Sequence, residues 1–485
     1  MQNTCRSLFE LTQSSHMKTK GLERFAAAVT AWAQRWFPDS YIFAVLAVVI
    51  VTVGALVSGV TPHAVAGAFG EGYWSLIPFT MQMAMVVISG YVVASSPPAG
   101  KLIGWLAKIP KTERSAVAYI ALFTILASLL NWAFSLVFGG LYVRALARRH
   151  DLRMDYRAAG AAGYLGLGAT WALGLSSSAA QLQANVDSIP KSLLPITGVI
   201  PFSETIFLPQ SIIMLTVLTV VSVVIAYLSA PTRDRSVTAS ELGIDVMEDL
   251  KDKMAKPVQP SEWLEYSPLL TIFITVLGLG WLALEFKSKN TLVAISNLNT
   301  YNFLFLILGM LLSWRPMRFL TSVSKAVPSI AGILIQFPIY GSIAFILTKA
   351  QTPDGLTLSH HISNFFVSIS THDSYSALMG VYSAVLGFFI PSGGGKWIIE
   401  APYLMQAANE LKVHLGWTVM VYNAAEALPN LINPFFMMAL IGVLGLKARD
   451  IVGYTVTQLV VHAPLVIFML WALGETLVYH APAIP

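Results

Sequence analysis

The stretch FFIPSGGGKWIIEAPY (residues 388–403) interrupts a long apolar run with a proline, a serine and three consecutive glycines. Glycine costs a helix interior about 1 kcal/mol relative to alanine, so three together predict a break in the helix. Backbone N–H groups beside glycines can approach a ligand closely, and a helix beginning after Ser392 would direct its positive end to the same point. The stretch therefore predicts a hairpin tip that binds a carboxylate. A tightly packed turn without a ligand is the alternative.

The chain on both sides of this stretch is apolar and almost free of charge. Of 485 residues, 55% are hydrophobic and 11% are charged, whereas a soluble domain carries about 25% charged residues. A membrane-spanning helix needs about 20 apolar residues, and in lipid the backbone must satisfy its own hydrogen bonds. The composition therefore predicts an all-α, polytopic membrane protein. The uncharged runs are 41–60, 73–100, 115–143, 158–186, 205–232, 266–284, 290–314, 326–348, 374–395, 427–446 and 451–474.

The basic residues stand at the ends of these runs, and this distribution predicts the topology. The net charge is +5, but because the charges flank apolar runs we expect a lipid bilayer around the chain and no nucleic-acid partner. Loops rich in Lys and Arg are cytoplasmic, which places the N-terminus and the segment 233–262 inside. Both flanks of the run 115–143 are strongly basic. That run is therefore predicted to enter the membrane and return, with its tip near Asn131 and Trp132.

Features of the first half recur in the second half at a nearly constant separation. The tip near Asn131 corresponds to the tip at Ser392, and a polar break around Ser176 corresponds to one around Asn433. The extra run 266–284 reverses the second half, which predicts inverted repeats, each with a re-entrant hairpin and a broken helix, as in secondary transporters. The predicted units are an N-terminal tail and interfacial helix (1–36), the first repeat (37–232), a cytoplasmic linker (233–265), a connecting span (266–289) and the second repeat (290–485).

The hairpin tips and the breaks are predicted to form a central substrate site. Backbone N–H groups and the Ser392 hydroxyl would bind a carboxylate, while Trp397 and Phe389 would cover a short apolar tail. A lone asparagine also joins helices within membranes, and Lys396 stands four residues before Glu400, so packing and a local ion pair are alternatives. The predicted substrate-binding residues are Asn131, Ser392, Gly393, Gly394, Gly395, Lys396, Trp397, Ser176, Ser177 and Asn433.

The breaks at 170–178 and 423–434 are also candidates for a coupling-ion site. They combine hydroxyl and amide side chains with prolines, which free backbone carbonyls within a span. Such oxygens suit a hard cation such as Na⁺, and Glu426 would carry a proton or fix the pore. Close packing of small residues is the alternative. The predicted coupling-ion residues are Thr170, Ser178, Asn430 and Glu426. No other metal or cofactor is predicted.

The chain contains no nucleophile elbow, P-loop or dinucleotide-binding glycine pattern, so it is not predicted to be an enzyme, and active transport would draw on an ion gradient. The motifs GYWSLIPFTMQMA, NWAFSLVFGG, AGILIQFPIYG and FIPSGGGKWIIEAPY resemble those of the bacterial short-chain fatty acid transporter family. The resemblance extends from about residue 20 to the C-terminus. Relatives have histidine at the position of Lys396 and glutamine at that of Glu400, so this chain departs from the family at both.

This resemblance implies uptake of short monocarboxylates such as acetoacetate or butyrate by symport with Na⁺ or H⁺ at the bacterial inner membrane. It also implies kinship with a broader ion-transporter superfamily, whose members have inverted repeats, a scaffold domain, a homodimeric assembly and an elevator motion. Two alternatives remain open at this point. One is a carrier for another organic anion, such as a dicarboxylate or an amino acid derivative, and the other is an anion channel.

Overall fold

The computed structural model describes residues 35, 40–247, 259–260, 262–390 and 392–484. Within these ranges the regular structure is helical, apart from an isolated bridge between Gln351 and Thr357. The all-α prediction is therefore confirmed for the described part of the chain. The predicted tail and interfacial helix and the centre of the linker lie outside it.

Several of the described helical segments are long and apolar enough to cross a membrane, as a polytopic protein requires. The long segments are Pro62–Ala94, Glu113–Leu130, Pro209–Ser229, Pro268–Ser288, Pro316–Thr348 and Ala448–Gly474. The shorter apolar helices are Tyr41–Val57, Trp132–Ala147 and Leu298–Ser313.

Helices of the first half begin at side chains that cap their first turn. Thr61, Ser96 and Thr112 each accept a hydrogen bond from a backbone N–H that the helix itself leaves unpaired. The described helices of this half are α1 (Ser40–Val57), α2 (Pro62–Ser75), α3 (Ile77–Ala94), α4 (Pro97–Leu106), α5 (Glu113–Leu130), α6 (Trp132–Ala147), α7 (Tyr156–Leu165), α8 (Ser178–Gln183), α9 (Leu194–Thr197) and α10 (Pro209–Ser229).

The second half follows with a similar order of elements. Its described helices are α11 (Glu262–Tyr266), α12 (Pro268–Ser288), α13 (Thr291–Ser296), α14 (Leu298–Ser313), α15 (Pro316–Ala326), α16 (Ala331–Thr348), α17 (Leu358–Ile369), α18 (His372–Phe389), α19 (Gly393–Leu411), α20 (Leu415–Asn430), α21 (Pro434–Leu444) and α22 (Ala448–Gly474).

Helices α5 and α18 share a start as well as a length. Each has 18 residues and begins with a capping box, formed by Thr112 with Ser115 in α5 and by Thr371 with Ser374 in α18. Helix α5 ends at the extended Asn131, which also caps α6, whereas α18 ends before Ile390 and α19 is capped by the extended Ser392. These matching details support a repeat, while the inversion of one half relative to the other and the re-entry of the hairpins into a membrane stay predictions.

The structure corrects the predicted extent of several runs. The run 73–100 is preceded by helix α2, which begins at Pro62 and leads into α3, because Thr61 caps a helix with Pro62 at its first position. The run 158–186 is divided into α7, a π-helical turn, a 3₁₀ turn and α8. The break expected over 423–434 is shorter, since Pro429 lies in the last turn of α20, which continues to Asn430 before α21 begins.

Two buried apolar clusters position the breaks. One surrounds the hairpin of α18 and α19 and includes Phe79, Trp397 and Trp417. The other surrounds the hairpin of α5 and α6 and includes Tyr164 and Trp171. The two broken segments lie between these hairpins, so their polar groups are held against both.

Candidate functional site

The hairpin of α18 and α19 turns at Ser392, as the sequence predicts. Ser392 is extended, with φ −157° and ψ 103°, and its Oγ accepts a hydrogen bond from the Gly395 N–H at 3.2 Å. The arms run antiparallel, because the Tyr375 hydroxyl donates to the Leu404 carbonyl at 2.6 Å and the Tyr382 and Tyr403 hydroxyls lie 3.0 Å apart. The first turn of α19 thus lies at the tip of a well-defined hairpin.

Aromatic rings press against all three glycines at this tip. A Cβ added to Gly393 would lie 2.1 Å from Trp171 Cη2, and one added to Gly395 would lie 2.1 Å from Tyr340 Cδ2. At Gly394 the nearest atom would be Phe79 Cζ, 3.0 Å away. The glycines are therefore required by packing, which is the alternative that the sequence left open, and the same packing lines the start of α19 with three aromatic rings.

These three rings were not among the predicted site residues. Trp171 stood inside the predicted break at 170–178, and Tyr340 stood in the motif AGILIQFPIYG, so the sequence contained a signal for both. Nothing in the sequence marked Phe79 as a site residue apart from its place in the motif GYWSLIPFTMQMA. The predicted Trp397 is fully buried and packs on Tyr422 with ring centroids 4.9 Å apart. The Phe389 side chain lies outside the described part of the structure.

The first broken segment brings its serines to the hairpin tip. Ser177 caps α8 by accepting from the Ala180 N–H at 3.1 Å, and its Oγ lies 3.0 Å from Asn423 Oδ1 on α20. Ser178 lies beside Gly394, and its hydroxyl is 3.6 Å from Met83 Sδ on α3. The hydroxyls of Thr170 and Ser176 are buried, and neither has a hydrogen-bond partner among the described residues.

The second broken segment contacts both the tip and the first break. With the Asn430 amide oriented to suit its neighbours, its oxygen accepts from Trp171 Nε1 and its nitrogen donates to the Glu426 carbonyl, each at 3.2 Å. The Tyr422 hydroxyl donates to the Gly393 carbonyl. Asn433 Nδ2 donates to the Phe388 carbonyl at 3.3 Å. The end of α20 therefore ties the hairpin tip to the break in the other half.

Asn131 occupies the equivalent tip in the first half but uses its side chain internally. Its Oδ1 accepts from the Phe134 N–H at 2.9 Å, and its Nδ2 donates to the Val86 carbonyl at 3.2 Å. Two residues earlier in the chain, the Leu129 carbonyl accepts a hydrogen bond from the Ser176 N–H of the first break at 3.2 Å. Asn131 thus joins helices α3 and α6, which is the alternative role that the sequence allowed. Its contact with substrate stays a prediction.

A buried charge cluster follows the tip. Lys396 Nζ lies 3.1 Å from Glu400 Oε1 and 2.9 Å from Glu426 Oε2, and none of the three side chains is exposed. The ammonium also donates to the hydroxyl of Ser383 at 2.7 Å and to its carbonyl at 2.9 Å. The Tyr422 ring centroid is 4.4 Å from Nζ. The predicted local ion pair is present, so Lys396 already has carboxylate partners, and its role as a substrate ligand stays a prediction.

The structure therefore brings most of the predicted residues into one region between the hairpins. The tip at Ser392 to Trp397 meets Ser177 and Ser178 from the first break and Asn430 and Glu426 from the second. Asn131 lies apart, on the side of α3. This region also contains Ser383, Tyr340 and Trp171. Spacing along the chain could not reveal Ser383, because it lies on α18 and meets Lys396 of α19 only when the two helices pack together.

Comparison with known proteins gives a consistent result along the chain. A sequence profile of the family described as short chain fatty acid transporter matches residues 21–473. A protein of Escherichia coli (strain K12) assigned to short-chain fatty acid transport is 33% identical over 437 residues, which is 90% of this chain and 96% of that protein. A protein of Haemophilus influenzae with the same assignment is 30% identical over 457 residues, 93% of this chain and all of that protein.

Two solved structures share the fold. The YdaH transporter of Alcanivorax borkumensis is 16% identical and superimposes with a TM-score of 0.50 over 90% of this chain and 98% of its own. MtrF of Neisseria gonorrhoeae, described with a class of antimetabolite efflux pumps, is 13% identical and superimposes with a TM-score of 0.55 over 93% of this chain and 97% of its own. At these identities the similarity concerns the fold alone.

Proposed function

Because this chain belongs to the short chain fatty acid transporter family, we propose that it is a secondary active transporter for short monocarboxylates such as acetoacetate or butyrate. It would carry them across the bacterial inner membrane, with its N-terminus in the cytoplasm, as a homodimer coupled to Na⁺ or H⁺. The names of the relatives support the substrate class. The observation that carries the proposal is the tip of α19, where a helix N-terminus is surrounded by aromatic rings.

The first turn of α19 suits a carboxylate. The Ser392 side chain caps the Gly395 N–H, which leaves the N–H groups of Gly393 and Gly394 directed at the tip. Helix N-termini stabilise anions through such N–H groups and through the helix dipole, and hydrogen bonds to a carboxylate are stronger than those between neutral groups. The buried hydroxyls of Thr170 and Ser176 add unpaired polar groups in the neighbouring break.

The rings around the tip suit a short apolar tail. Trp171, Phe79 and Tyr340 approach the glycines from different helices, so a tail leaving the helix N-terminus meets aromatic surface. Apolar walls with a few placed polar groups are typical of small-ligand sites. A short aliphatic chain fits this arrangement, and a second carboxylate on the ligand would meet rings instead of hydrogen-bond donors.

Uptake of labelled butyrate by proteoliposomes tests the proposal, with Na⁺ and pH gradients imposed separately and protein-free vesicles as the control. We expect accumulation above the equilibrium level under at least one gradient, with competition by acetoacetate and weaker competition by dicarboxylates. The absence of uptake under every gradient would contradict the transport function. If a dicarboxylate competes more strongly than acetoacetate, the substrate is a dicarboxylate and not a short monocarboxylate. Single-channel currents would show that the protein is an anion channel.

A further inference from the structure

The buried charge cluster of Lys396, Glu400 and Glu426 is unbalanced. Lys396 Nζ lies 3.1 Å from Glu400 and 2.9 Å from Glu426, and all three side chains are completely buried. One ammonium therefore faces two carboxylates. A buried charge without compensation is strongly disfavoured, because the protein interior cannot solvate it as water does. The cluster requires one more positive charge whenever both carboxyl groups are ionised.

The two carboxylates differ in how well they are held. Glu400 Oε1 accepts from Lys396 and Glu400 Oε2 accepts from the Ser383 hydroxyl at 2.7 Å, so both of its oxygens are paired. Neither oxygen of Glu426 accepts a well-aligned hydrogen bond from any described residue, although the Lys396 ammonium is close. Protonation of Glu426 would leave the bonds among Lys396, Glu400 and Ser383 unchanged, whereas protonation of Glu400 would disrupt them.

We propose that Glu426 binds and releases one proton in each transport cycle, so that H⁺ is the coupling ion; this inference rests on the transport function proposed above. The carboxylate of Glu426 takes up a proton to become a neutral carboxyl group, and the same O–H bond breaks when the proton leaves on the other side. If one monocarboxylate is carried with each proton, the two charges cancel. The loaded transporter then has the same net charge as the empty one.

Space around Glu426 favours a proton over a metal cation. The Lys396 ammonium already occupies the position facing Oε2, and a Cβ added to Gly387 would lie 2.9 Å from the same oxygen. A hard cation needs several oxygen ligands at once. No group of three or more His, Cys, Asp or Glu side chains suited to a metal occurs among the described residues. A proton needs no additional ligand.

The groups facing the cluster come from four helices. Lys396, Glu400 and Tyr403 lie on α19, Tyr422 lies on the same helix as Glu426, Tyr382 lies on α18 and Tyr340 lies on α16. A tyrosine hydroxyl gives up its proton far less readily than a carboxyl group does. On α22, His462 instead contacts Ser222. The exchanging proton is thus assigned within the cluster of Lys396, Glu400 and Glu426.

The cluster lies close enough to the hairpin tip to interact electrostatically with an anion bound there. Lys396 directly follows the three glycines, and Tyr422 contacts both regions, with its ring 4.4 Å from Lys396 Nζ and its hydroxyl on the Gly393 carbonyl. A carboxylate bound at the tip would disfavour an ionised Glu426, so substrate binding raises proton affinity and proton binding raises substrate affinity to the same extent. This reciprocity favours joint loading of the proton and the substrate, as symport requires.

The substitution Glu426→Gln in proteoliposomes tests the assignment. We expect at least a 10-fold loss of butyrate accumulation driven by a pH gradient, while exchange of labelled for unlabelled butyrate at equal pH stays within about 3-fold of the unsubstituted protein. The exposed Glu71→Gln should change neither activity. Accumulation that persists in Glu426→Gln, or a loss of exchange as well in a monodisperse variant, overturns the proposal.

Proton uptake during binding provides a second measurement that does not depend on transport by the variant. In weakly buffered detergent solution, a pH indicator should report about one proton taken up per butyrate bound by the unsubstituted protein and none by Glu426→Gln. Accumulation driven by Na⁺ alone, with no proton uptake, would overturn this inference and leave the proposed transport function intact. No uptake under any gradient would instead contradict the transport function itself.

Discussion

The contact between Gly393 and Trp171 decides how the hairpin tip tolerates a side chain. A Cβ at Gly393 would lie 2.1 Å from the indole ring, far inside van der Waals contact, so either the ring or the start of α19 must move. We expect Gly393→Ala to lower butyrate uptake at least 10-fold in proteoliposomes. Truncation of the ring by Trp171→Leu in the same chain removes the clash, so it should reverse any loss of monodispersity that Gly393→Ala causes.

Gly453→Ala is the matched control for this prediction. It lies in α22, and a Cβ there would have no neighbour within 4 Å, so its uptake should equal that of the unsubstituted protein. Full activity of Gly393→Ala would show that the tip can shift without consequence, and the close packing described here would then not define the site.

Lys396 is expected to be essential for stability because it compensates buried carboxylates. Lys396→Met leaves Glu400 and Glu426 facing each other without an ammonium, and removing one partner of a buried ion pair costs about 3 to 5 kcal/mol. We expect a large fall in the thermal unfolding temperature in detergent. The double substitution Lys396→Met and Glu400→Gln should recover part of it, since one carboxyl group remains. Equal stability of the two variants would contradict the charge argument.

The predicted site residues show what single residues can reveal in a sequence. Ser392 and Glu426 were predicted because glycine runs and intramembrane charges are rare in apolar segments, and the pair of Lys396 with Glu400 follows from helix spacing. Ser383 and Tyr340 were not predicted, although Tyr340 stands in the motif AGILIQFPIYG, because each reaches the tip of α19 from another helix. Only the packing of α18 and α16 against α19 determines those contacts.

At the scale of elements, Asp155 connects a helix start to the segment that follows α10. It is 1% exposed, its Oδ1 accepts from the Arg157 and Ala158 N–H groups, and its Oδ2 accepts from the Val237 N–H at 3.0 Å. Asp155→Ala removes both the cap of α7 and this link. We expect the free energy of unfolding to fall by about 3 kcal/mol, combining a lost cap with a lost charged hydrogen bond.

A denaturant titration followed by tryptophan fluorescence measures this change. Asp155→Asn keeps a carbonyl oxygen for the cap and should lose about half as much, and the exposed Asp234→Ala should lose nothing measurable. If the Ala and Asn variants lose the same free energy of unfolding, the carboxylate charge accounts for the whole loss and the helix cap contributes nothing.

The breaks in the helices were predictable, whereas their extent was not. Glycines and clustered hydroxyls mark the first broken segment, prolines and asparagines mark the second, and the structure has breaks at 166–177 and at 431–433. Tertiary contacts fix the limits, as where the Asn430 amide is held by Trp171 and Glu426 at the end of α20. Helix α2 was missed because His63, Glu71 and three glycines interrupt its apolar pattern, although Thr61 and Pro62 mark a helix start.

At the scale of the whole molecule, the hairpins and broken segments of the described chain pack against another group of helices. Helix α3 belongs to this group with α14, α15 and α16: Asn302 Nδ2 on α14 donates to the Gln82 carbonyl at 2.9 Å, and the Ser95 and Ser322 hydroxyls lie 3.2 Å apart. An elevator motion, which the family resemblance implies, requires the hairpins to slide past this group as a unit.

Two engineered disulfides distinguish sliding from a rigid interface. Met83 on α3 and Ser178 on α8 lie across the predicted sliding surface, with Sδ and Oγ 3.6 Å apart, while Ser95 and Ser322 lie within the predicted scaffold. In a Cys5→Ser background, oxidation of Met83→Cys with Ser178→Cys should lower butyrate uptake at least 10-fold, and a reductant should restore it. Oxidation of Ser95→Cys with Ser322→Cys should leave uptake unchanged. If the first disulfide forms fully and transport continues, then α8 does not move against α3, and alternating access must come from local opening at the tip of α19.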